Sequence, residues 1–375
     1  MHIVEVIFLG TGTSGTVPNI GCLTDANSTC KTCNSTRGYW ARSGSPQQFY
    51  KNKRGNTSVL VKLATDAGDQ KTIVIDAGKS FYSSALEWFP RYGIRKIDVV
   101  LITHGHADAI LGLDDLRQWT LRENIQKTID IYASDEAISV IGATFPYLVN
   151  RDFATGGGDV TNVTFHSIGS VDNPVPFPLF DNSVHVQPIT VEHGLWNDCR
   201  PFHFTGFRIE DFAYISDVSF IPPRSRNLLS GVSCIVLDGL KPIRHISHFS
   251  ITDAVKECIL YQQPTSDCIK GVAPTLALIT GFGHSVEHDE LEQECIKLEE
   301  TLAQGGTTAI NAGPSDPQRE AYISKYFDMS AEEIDSALRT LKIVPKIRPA
   351  FDGMRLRVTN GDSQVFTLMD DEQGQ

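Results

Sequence analysis

Short apolar runs rich in β-branched residues alternate with longer amphipathic stretches along the 375-residue chain. The runs end near Gly, Asp or Asn and predict strands at 4–9, 58–63, 72–75, 98–102, 129–132, 183–191, 234–237 and 276–279. The amphipathic stretches predict helices at 114–126, 135–149, 252–261, 289–303 and 331–341. Because helices follow many of the strands, we predict an α/β fold in which helices cover two sheets.

The composition and the net charge of the chain exclude some classes of protein and partner. With 41% hydrophobic and 21% charged residues, the chain has the composition of a globular protein. Its net charge of −12 counts against nucleic acid as a partner. No apolar run approaches the roughly 20 residues of a membrane span, and the N-terminus has no basic signal-peptide region. We therefore predict no membrane partner and a cytoplasmic location, with the nucleus as the alternative.

We interpret residues 1–375 as a single domain with two insertions. The first is a basic loop at 26–56, inside the stretch 26–65 that carries seven Lys and Arg residues and no acid. This loop is either a solvated segment or a rim that attracts a small phosphate-bearing substrate. The second is a C-terminal helical insertion at 305–347.

Three of the eight cysteines cluster near the N-terminus, as Cys22, Cys30 and Cys33. In a reducing compartment a Cys-x-x-Cys pair indicates a metal site or a redox site. Three thiolates need a fourth ligand to complete a tetrahedral zinc site, so a His or Cys from elsewhere in the chain is required.

The strongest chemical signal is His104-Gly-His106-Ala-Asp108, which follows an apolar strand directly. Imidazoles and carboxylates are the ligands of hydrolytic zinc and manganese sites, and a turn after a strand presents alternate side chains on one side. Further ligands are expected at other strand ends, and His193 and Asp217 are the candidates there.

These motifs, with Phe-Leu-Gly-Thr-Gly at 8–12 and Ser-Asp at 216–217, resemble the metallo-β-lactamase superfamily. Within it the chain is most similar to the cyclic-phosphate phosphodiesterases of phosphonate breakdown, and more distantly to the tRNA 3′-end endonuclease. The similarity covers about residues 3–290 and returns at 349–354. It implies an αββα sandwich with insertions and a metal centre at one edge between the sheets.

The resemblance implies a role for each matching residue. His104, His106 and His193 match the imidazoles of the first metal site. Asp217 matches the carboxylate that bridges two metals, and Asp108 matches the aspartate of the second site.

The sequence departs from the family at two ligands of the second metal, where it has Ala109 and Gly281 in place of histidines. We therefore expect one tightly held ion at the first metal site, and a second position that is empty or binds Mn²⁺ or Mg²⁺ weakly. The candidate substitute ligands are His288, Asp114, Asp115 and Asp289.

The resemblance also assigns four residues outside the first metal site. It implies that His284 completes a structural zinc site with the three clustered cysteines, and that Asp76 orients a metal-binding imidazole. His248, which precedes a predicted helix, matches the histidine that stabilises the scissile phosphate and protonates the leaving oxygen; His245 is the reserve.

The sequence thus predicts a metal-dependent hydrolase with Zn²⁺ as cofactor. The activity we favour is phosphodiesterase, in which metal-bound hydroxide attacks a small, in some cases cyclic, phosphate ester. The alternatives are a tRNA-processing enzyme, a thioester or lactone hydrolase of the same superfamily, and a metal-poor binding module without activity.

Overall fold

The computed structural model describes residues 1–40, 50–154, 159–260, 274–309, 321–341, 343–361 and 363–369. The strands are β1 His2–Gly10, β2 Ser58–Ala64, β3 Gln70–Ile75, β4 Val99–Leu101, β5 Ile129–Ala133, β6 Val163–Ser167, β7 Phe177–Leu179, β8 Val184–Leu195, β9 Pro201–Ile209, β10 Phe212–Ile215, β11 Cys234–Asp238, β12 Leu276–Thr280, β13 Tyr322–Ile323, β14 Asp328–Met329, β15 Lys346–Pro349, β16 Arg355–Asn360 and β17 Gln364–Leu368. The helices are α1 Ile20–Thr24, α2 Lys31–Asn34, α3 Arg37–Trp40, α4 Phe81–Arg91, α5 Ala107–Ile110, α6 Arg117–Thr120, α7 Asp135–Thr144, α8 Pro146–Val149, α9 Pro223–Leu228, α10 Ile251–Leu260, α11 His288–Ala309 and α12 Ala331–Thr340.

In the described part of the chain, two large sheets stack face to face. The first has the strand order β17-β16-β1-β2-β3-β4-β5-β6, and the second has the order β15-β12-β11-β10-β9-β8-β7. Strands β3 to β6 are parallel to one another, as are β10, β11, β12 and β15. The predicted α/β fold with two sheets is confirmed.

Three apolar cores separate four layers. One core lies between the sheets and contains inward-facing side chains of both, such as Phe8 and Phe207. A second joins the outer face of the first sheet to the helices from α4 to α8, and a third joins the second sheet to α9, α10, α11 and α12. Each sheet is therefore buried on both faces, as parallel strands connected by helices require.

Several predicted helices differ from the observed ones. The stretch 114–126 breaks into two 3-10 turns around α6, and Arg122 has a φ of +51° that no helix tolerates. The stretch 135–149 divides into α7 and α8 at Phe145, because the residue before a proline is disfavoured in the helical region.

The two proposed insertions contain more strand and helix than their descriptions imply. The described part of 26–56 includes the one-turn helices α2 and α3. The described part of 305–347 holds the end of α11, the hairpin β13–β14 and α12, while β15 begins at Lys346 and belongs to the second sheet. Residues 41–49 and 310–320 lie outside the described residues.

No helix in the described residues has both the length and the apolar character needed to cross a membrane.

Candidate metal centre

Strand ends from both sheets meet at one edge of the sandwich. Strand β4 leads into His104 and His106, and the parallel strands β10 and β11 end beside Asp217 and at Asp238. His193 lies in β8, which continues past the predicted end of its strand to Leu195. Carboxyl ends of parallel strands gather at the same edge of a sheet, where α/β proteins place their ligand sites.

The gathered side chains form two adjacent groups of candidate ligand atoms. His104, His106 and Asp108 form one, His193, Asp217 and His248 form the other, and within each group these atoms lie within 4.8 Å of one another. The two groups are in contact, since the ring centroids of His106 and His193 are 5.7 Å apart. The structure therefore brings together all five residues that the resemblance implied for the metal centre.

The tautomer of His104 is fixed from behind. Thr103 Oγ1 donates its only proton to Asp76 Oδ2 at 2.7 Å. Thr103 Oγ1 therefore accepts the hydrogen bond that joins it to His104 Nδ1, also at 2.7 Å. The backbone N–H of Thr103 donates to the other oxygen of Asp76 at 2.8 Å. With Nδ1 protonated, Nε2 carries the free lone pair. Asp76 thus acts on the imidazole through Thr103, a relay residue that the sequence analysis did not single out.

Burial keeps the imidazoles neutral. Burial, and then the charge of neighbouring histidines, hold the pKa of His104 well below its usual value. The same causes lower the pKa of His193 to about 3, and burial lowers the pKa of His106. Neutral imidazole is the form that ligates a metal.

Asp217 is a buried carboxyl among other acids. Burial is the largest cause that raises its pKa, followed by the charges of Asp238 and Asp108. A bound cation would reverse this effect, because it would place positive charge against all three carboxyl groups.

His248 and Asp238 form a buried pair beside this cluster. His248 Nδ1 lies 2.7 Å from Asp238 Oδ2, and the rings of His248 and His193 are 4.7 Å apart. Burial opposes protonation of His248, but the charge and hydrogen bond of Asp238 outweigh it and raise the pKa of His248 to about 9. Sequence reasoning missed Asp238, although it ends an apolar strand just as Asp76 follows one.

At Gly281 and Ala109, the two positions where the family has histidine, neighbouring groups fill the space that a larger side chain would need. Gly281 has a φ of +76°, and a Cβ built there would lie 2.5 Å from Asp238 Oδ1. The carboxyl of Asp238 therefore occupies the space into which a side chain would extend. Ala109 is 1% exposed and packs in the apolar core between the first sheet and its helices, so a histidine would overpack that core.

The other candidates lie outside this cluster. His288 is buried, its ring centroid is 5.4 Å from that of Phe351, and its candidate ligand neighbours are Asp289 and Glu292. His245 is adjacent to His248, at a ring distance of 5.3 Å, and accepts a hydrogen bond from the backbone of Ser247.

The N-terminal cysteines meet His284 as a second, separate group. The Sγ atoms of Cys22 and Cys30 lie 3.5 and 3.6 Å from His284 Nδ1, and Cys33 completes a set of four atoms within 4.8 Å of one another. Ligands on a tetrahedral zinc, with bonds near 2.3 Å to sulfur and 2.0–2.1 Å to nitrogen, lie about 3.6 Å apart. The observed spacing fits a Cys₃His zinc site.

The cluster of histidines and aspartates at the sheet edge also fits a divalent metal. Among the described residues, His104 Nε2, His193 Nδ1 and Asp217 Oδ2 are buried polar atoms without a hydrogen-bond partner. Buried polar atoms are normally paired, and leaving one unpaired costs roughly 1–3 kcal/mol. A cation held by the two adjacent groups would give these three atoms a partner.

Comparisons with known proteins bear on the family and the fold of this chain. A family model described as the beta-lactamase superfamily domain matches residues 71–264, just over half of the chain. An octanoyltransferase of Porphyromonas gingivalis is 28% identical over 255 residues, which cover 67% of this chain and 42% of that protein. The chain thus spans about two fifths of the length of this curated relative.

Two solved structures share the fold. A diphosphatase from the PhnP family superposes with a TM-score of 0.60 at 23% identity, covering 98% of this chain and 99% of that one. YhfI of Bacillus subtilis, a metallo-β-lactamase fold protein, superposes with a TM-score of 0.50 at 12% identity, covering 95% and 99%. At these identities the likeness shows the fold alone.

Proposed function

The chain belongs to the beta-lactamase superfamily, and from this premise we propose that it is a metal-dependent phosphodiesterase acting on a small phosphate diester, cyclic or open. The observation that carries the proposal is the pairing of His248 with Asp238 at the edge of the ligand cluster. A protonated imidazole held beside a metal centre is suited to donate a proton to a departing oxygen.

His104, His106, His193 and Asp217 would hold the cation, for which we propose Zn²⁺, because three imidazoles and one carboxylate form a ligand set typical of zinc. A divalent cation bound there would act as a Lewis acid on the phosphate and lower the pKa of a water to about 7.

Asp108 would orient the attacking water. One of its oxygens accepts a hydrogen bond from the hydroxyl of Ser14 at 2.6 Å, and the other lies 3.9 Å from His104 Nε2. The fixed oxygen holds the carboxylate in place, so the second can accept a hydrogen bond from the water.

His248 would supply the acid. Asp238 accepts hydrogen bonds from His248 Nδ1 and from the backbone N–H of Val218, at 2.7 and 3.1 Å. These contacts fix the carboxylate, which in turn holds the Nδ1 proton and stabilises the imidazolium. The proton on Nε2 is then available to the leaving oxygen. General-acid catalysis of this kind contributes roughly 10²–10⁴-fold.

The test combines metal content with turnover. We expect two zinc ions per chain, one at the histidine cluster and one at Cys22, Cys30, Cys33 and His284, and hydrolysis of bis(p-nitrophenyl) phosphate. His248→Ala should keep both ions and lose at least 100-fold in kcat. His245→Ala is the matched control, because no hydrogen bond joins this neighbouring imidazole to Asp238 in the described residues. Its turnover should stay near wild type.

Two results would contradict the proposal. Absence of turnover with zinc-, manganese- and magnesium-loaded protein would favour a binding module. Loss of turnover in His245→Ala, with little change in His248→Ala, would transfer the acid role to His245.

A further inference from the structure

Two cavities border the histidine cluster. The aromatic cavity, about 1020 Å³, is lined by His104 and His106 and by the aromatic side chains of Phe204, Phe202 and Trp196, among other residues. The polar cavity, about 730 Å³, is lined by His248 and by charged side chains such as Arg244 and Lys256, together with apolar ones. Leu195, the last residue of β8, lines both cavities.

The side chains of Phe204, Phe202 and Trp196 form a continuous aromatic wall that leads outward from the metal centre. Phe204 stacks on the ring of His193 at 4.4 Å. The centroids of Phe202 and Phe204 are 4.8 Å apart, and those of Trp196 and Phe202 are 4.5 Å apart, both pairs at interplanar angles near 70°. These are favourable aromatic geometries, so the wall is ordered by its own contacts.

Trp196 is fixed by its backbone, yet its side chain faces solvent. Its N–H donates to Arg200 O at 2.8 Å, and its carbonyl accepts from Cys199 N at 2.9 Å, which closes the hairpin turn. The residue nevertheless remains 53% exposed, whereas Trp88 and Trp119 are 3% and 6% exposed. A rigidly held indole at the mouth of a cavity offers a flat apolar surface to a ligand at little entropic cost.

We propose that the aromatic cavity binds the ester group that stays on phosphorus, and that this group carries a flat aromatic ring, as a nucleobase or an aryl ester does. This inference rests on the proposed function, in which His248 protonates the leaving oxygen. Because His248 lines the polar cavity, the leaving oxygen is the one located there. The leaving alcohol lies in the polar cavity, beside Arg244 and Lys256.

The reaction then breaks a defined bond. Water oxygen forms the new bond to phosphorus, and the bond from phosphorus to the ester oxygen in the polar cavity breaks. His248 gives its proton to the departing oxygen, the water releases one proton to solvent, and His248 regains a proton from solvent. For an open diester, the products are an aromatic phosphomonoester and a polar alcohol.

Binding of three six-carbon phosphomonoesters to the zinc-loaded protein tests the ring preference without turnover. By isothermal titration calorimetry, phenyl phosphate should bind at least tenfold more tightly than cyclohexyl phosphate or hexyl phosphate, because only phenyl is planar. Stacking on one aromatic side chain is worth roughly 5- to 150-fold in binding.

The variants locate the ring. Trp196→Ala should remove most of the preference for phenyl phosphate, and Trp196→Phe should restore part of it. Leu86→Ala is the control, because Leu86 is an exposed apolar residue of α4, at 61% exposure, that lines neither cavity. It should leave all three affinities unchanged.

The outcomes separate this inference from the proposed function. Equal or tighter binding of hexyl phosphate than of phenyl phosphate would assign the cavity to an aliphatic chain. A preference for phenyl phosphate that is unchanged in Trp196→Ala would place the ring elsewhere. Either result overturns the inference, and so does failure of phenyl phosphate to bind. Turnover of bis(p-nitrophenyl) phosphate by the same preparation tests the proposed function separately.

Discussion

Replacing Gly281 with alanine should destabilise the protein more than a glycine substitution of equal backbone strain. Gly281 and Gly231 have φ values of +76° and +81°. A Cβ at Gly281 would lie 2.5 Å from Asp238 Oδ1, whereas a Cβ at Gly231 meets nothing within 4 Å. The two variants therefore share the backbone cost and differ in the steric contact.

The magnitudes follow from these contacts. A left-handed conformation costs an L-residue roughly 1–2 kcal/mol, and the loss of unfolded-state freedom from glycine to alanine offsets about 0.4–1 kcal/mol. Gly231→Ala should thus lose about 1 kcal/mol. In Gly281→Ala the carboxyl of Asp238 must also move away, which weakens its bonds to His248 and Val218. Loss of one hydrogen bond to a charged group costs about 1.5–3 kcal/mol, so the total is about 3 kcal/mol.

Urea denaturation of both variants, followed by tryptophan fluorescence, measures the difference, and turnover of bis(p-nitrophenyl) phosphate measures its effect on the site. We expect Gly281→Ala to lose about 2 kcal/mol more than Gly231→Ala, and to lose turnover while Gly231→Ala keeps it. Equal losses of stability in the two variants would refute the placement of Asp238 against Gly281.

Three further predictions concern the remaining polar contacts. Cys30→Ser should remove one of two zinc ions and lower the Tm, while Cys199→Ser should change neither; unchanged metal content in Cys30→Ser would contradict the structural site. Thr103→Val should weaken metal binding roughly 10- to 100-fold in a chelator competition, and Thr103→Ser should retain it; equal affinities would show that the relay is dispensable. Glu257→Gln should lower the free energy of unfolding, measured by urea denaturation, by about 3–5 kcal/mol. The reason is that the variant lacks the carboxylate that pairs with the buried guanidinium of Arg226, at 2.6 Å from its Nε and 2.9 Å from its Nη2. The double variant Arg226→Met/Glu257→Leu should regain most of that loss, and additive losses would contradict the coupling.

Local signals in the sequence predicted much of this architecture. Each of the eight predicted strands has an observed counterpart, because strands that are buried on both faces of a sheet contain continuous runs of β-branched residues. The break between α7 and α8 was also encoded locally, in Pro146, but the apolar periodicity across it favoured one helix. The left-handed Arg122 within 114–126 has no such local signal, so the short turns there depend on tertiary packing.

The site was predicted unevenly for a related reason. His104, His106 and Asp108 are adjacent in sequence, and the motif itself indicates their shared role. Asp238 became visible only in three dimensions, since its importance depends on His248 and on Gly281, which lies 43 residues further along the chain. The sequence shows that position 281 is a glycine and therefore supplies no ligand. It does not show that the carboxyl of Asp238 occupies the space beside that glycine.

Asp238 also bears on how many cations the cluster can hold. Asp108, Asp217 and Asp238 bring three carboxylates to the cluster, and the imidazolium of His248 is paired with one of them. Because Asp238 occupies the space beside Gly281 and supplies a negative charge that His248 needs, the same residue that excludes the family's second-site ligand favours a centre with a single ion and a separate proton donor.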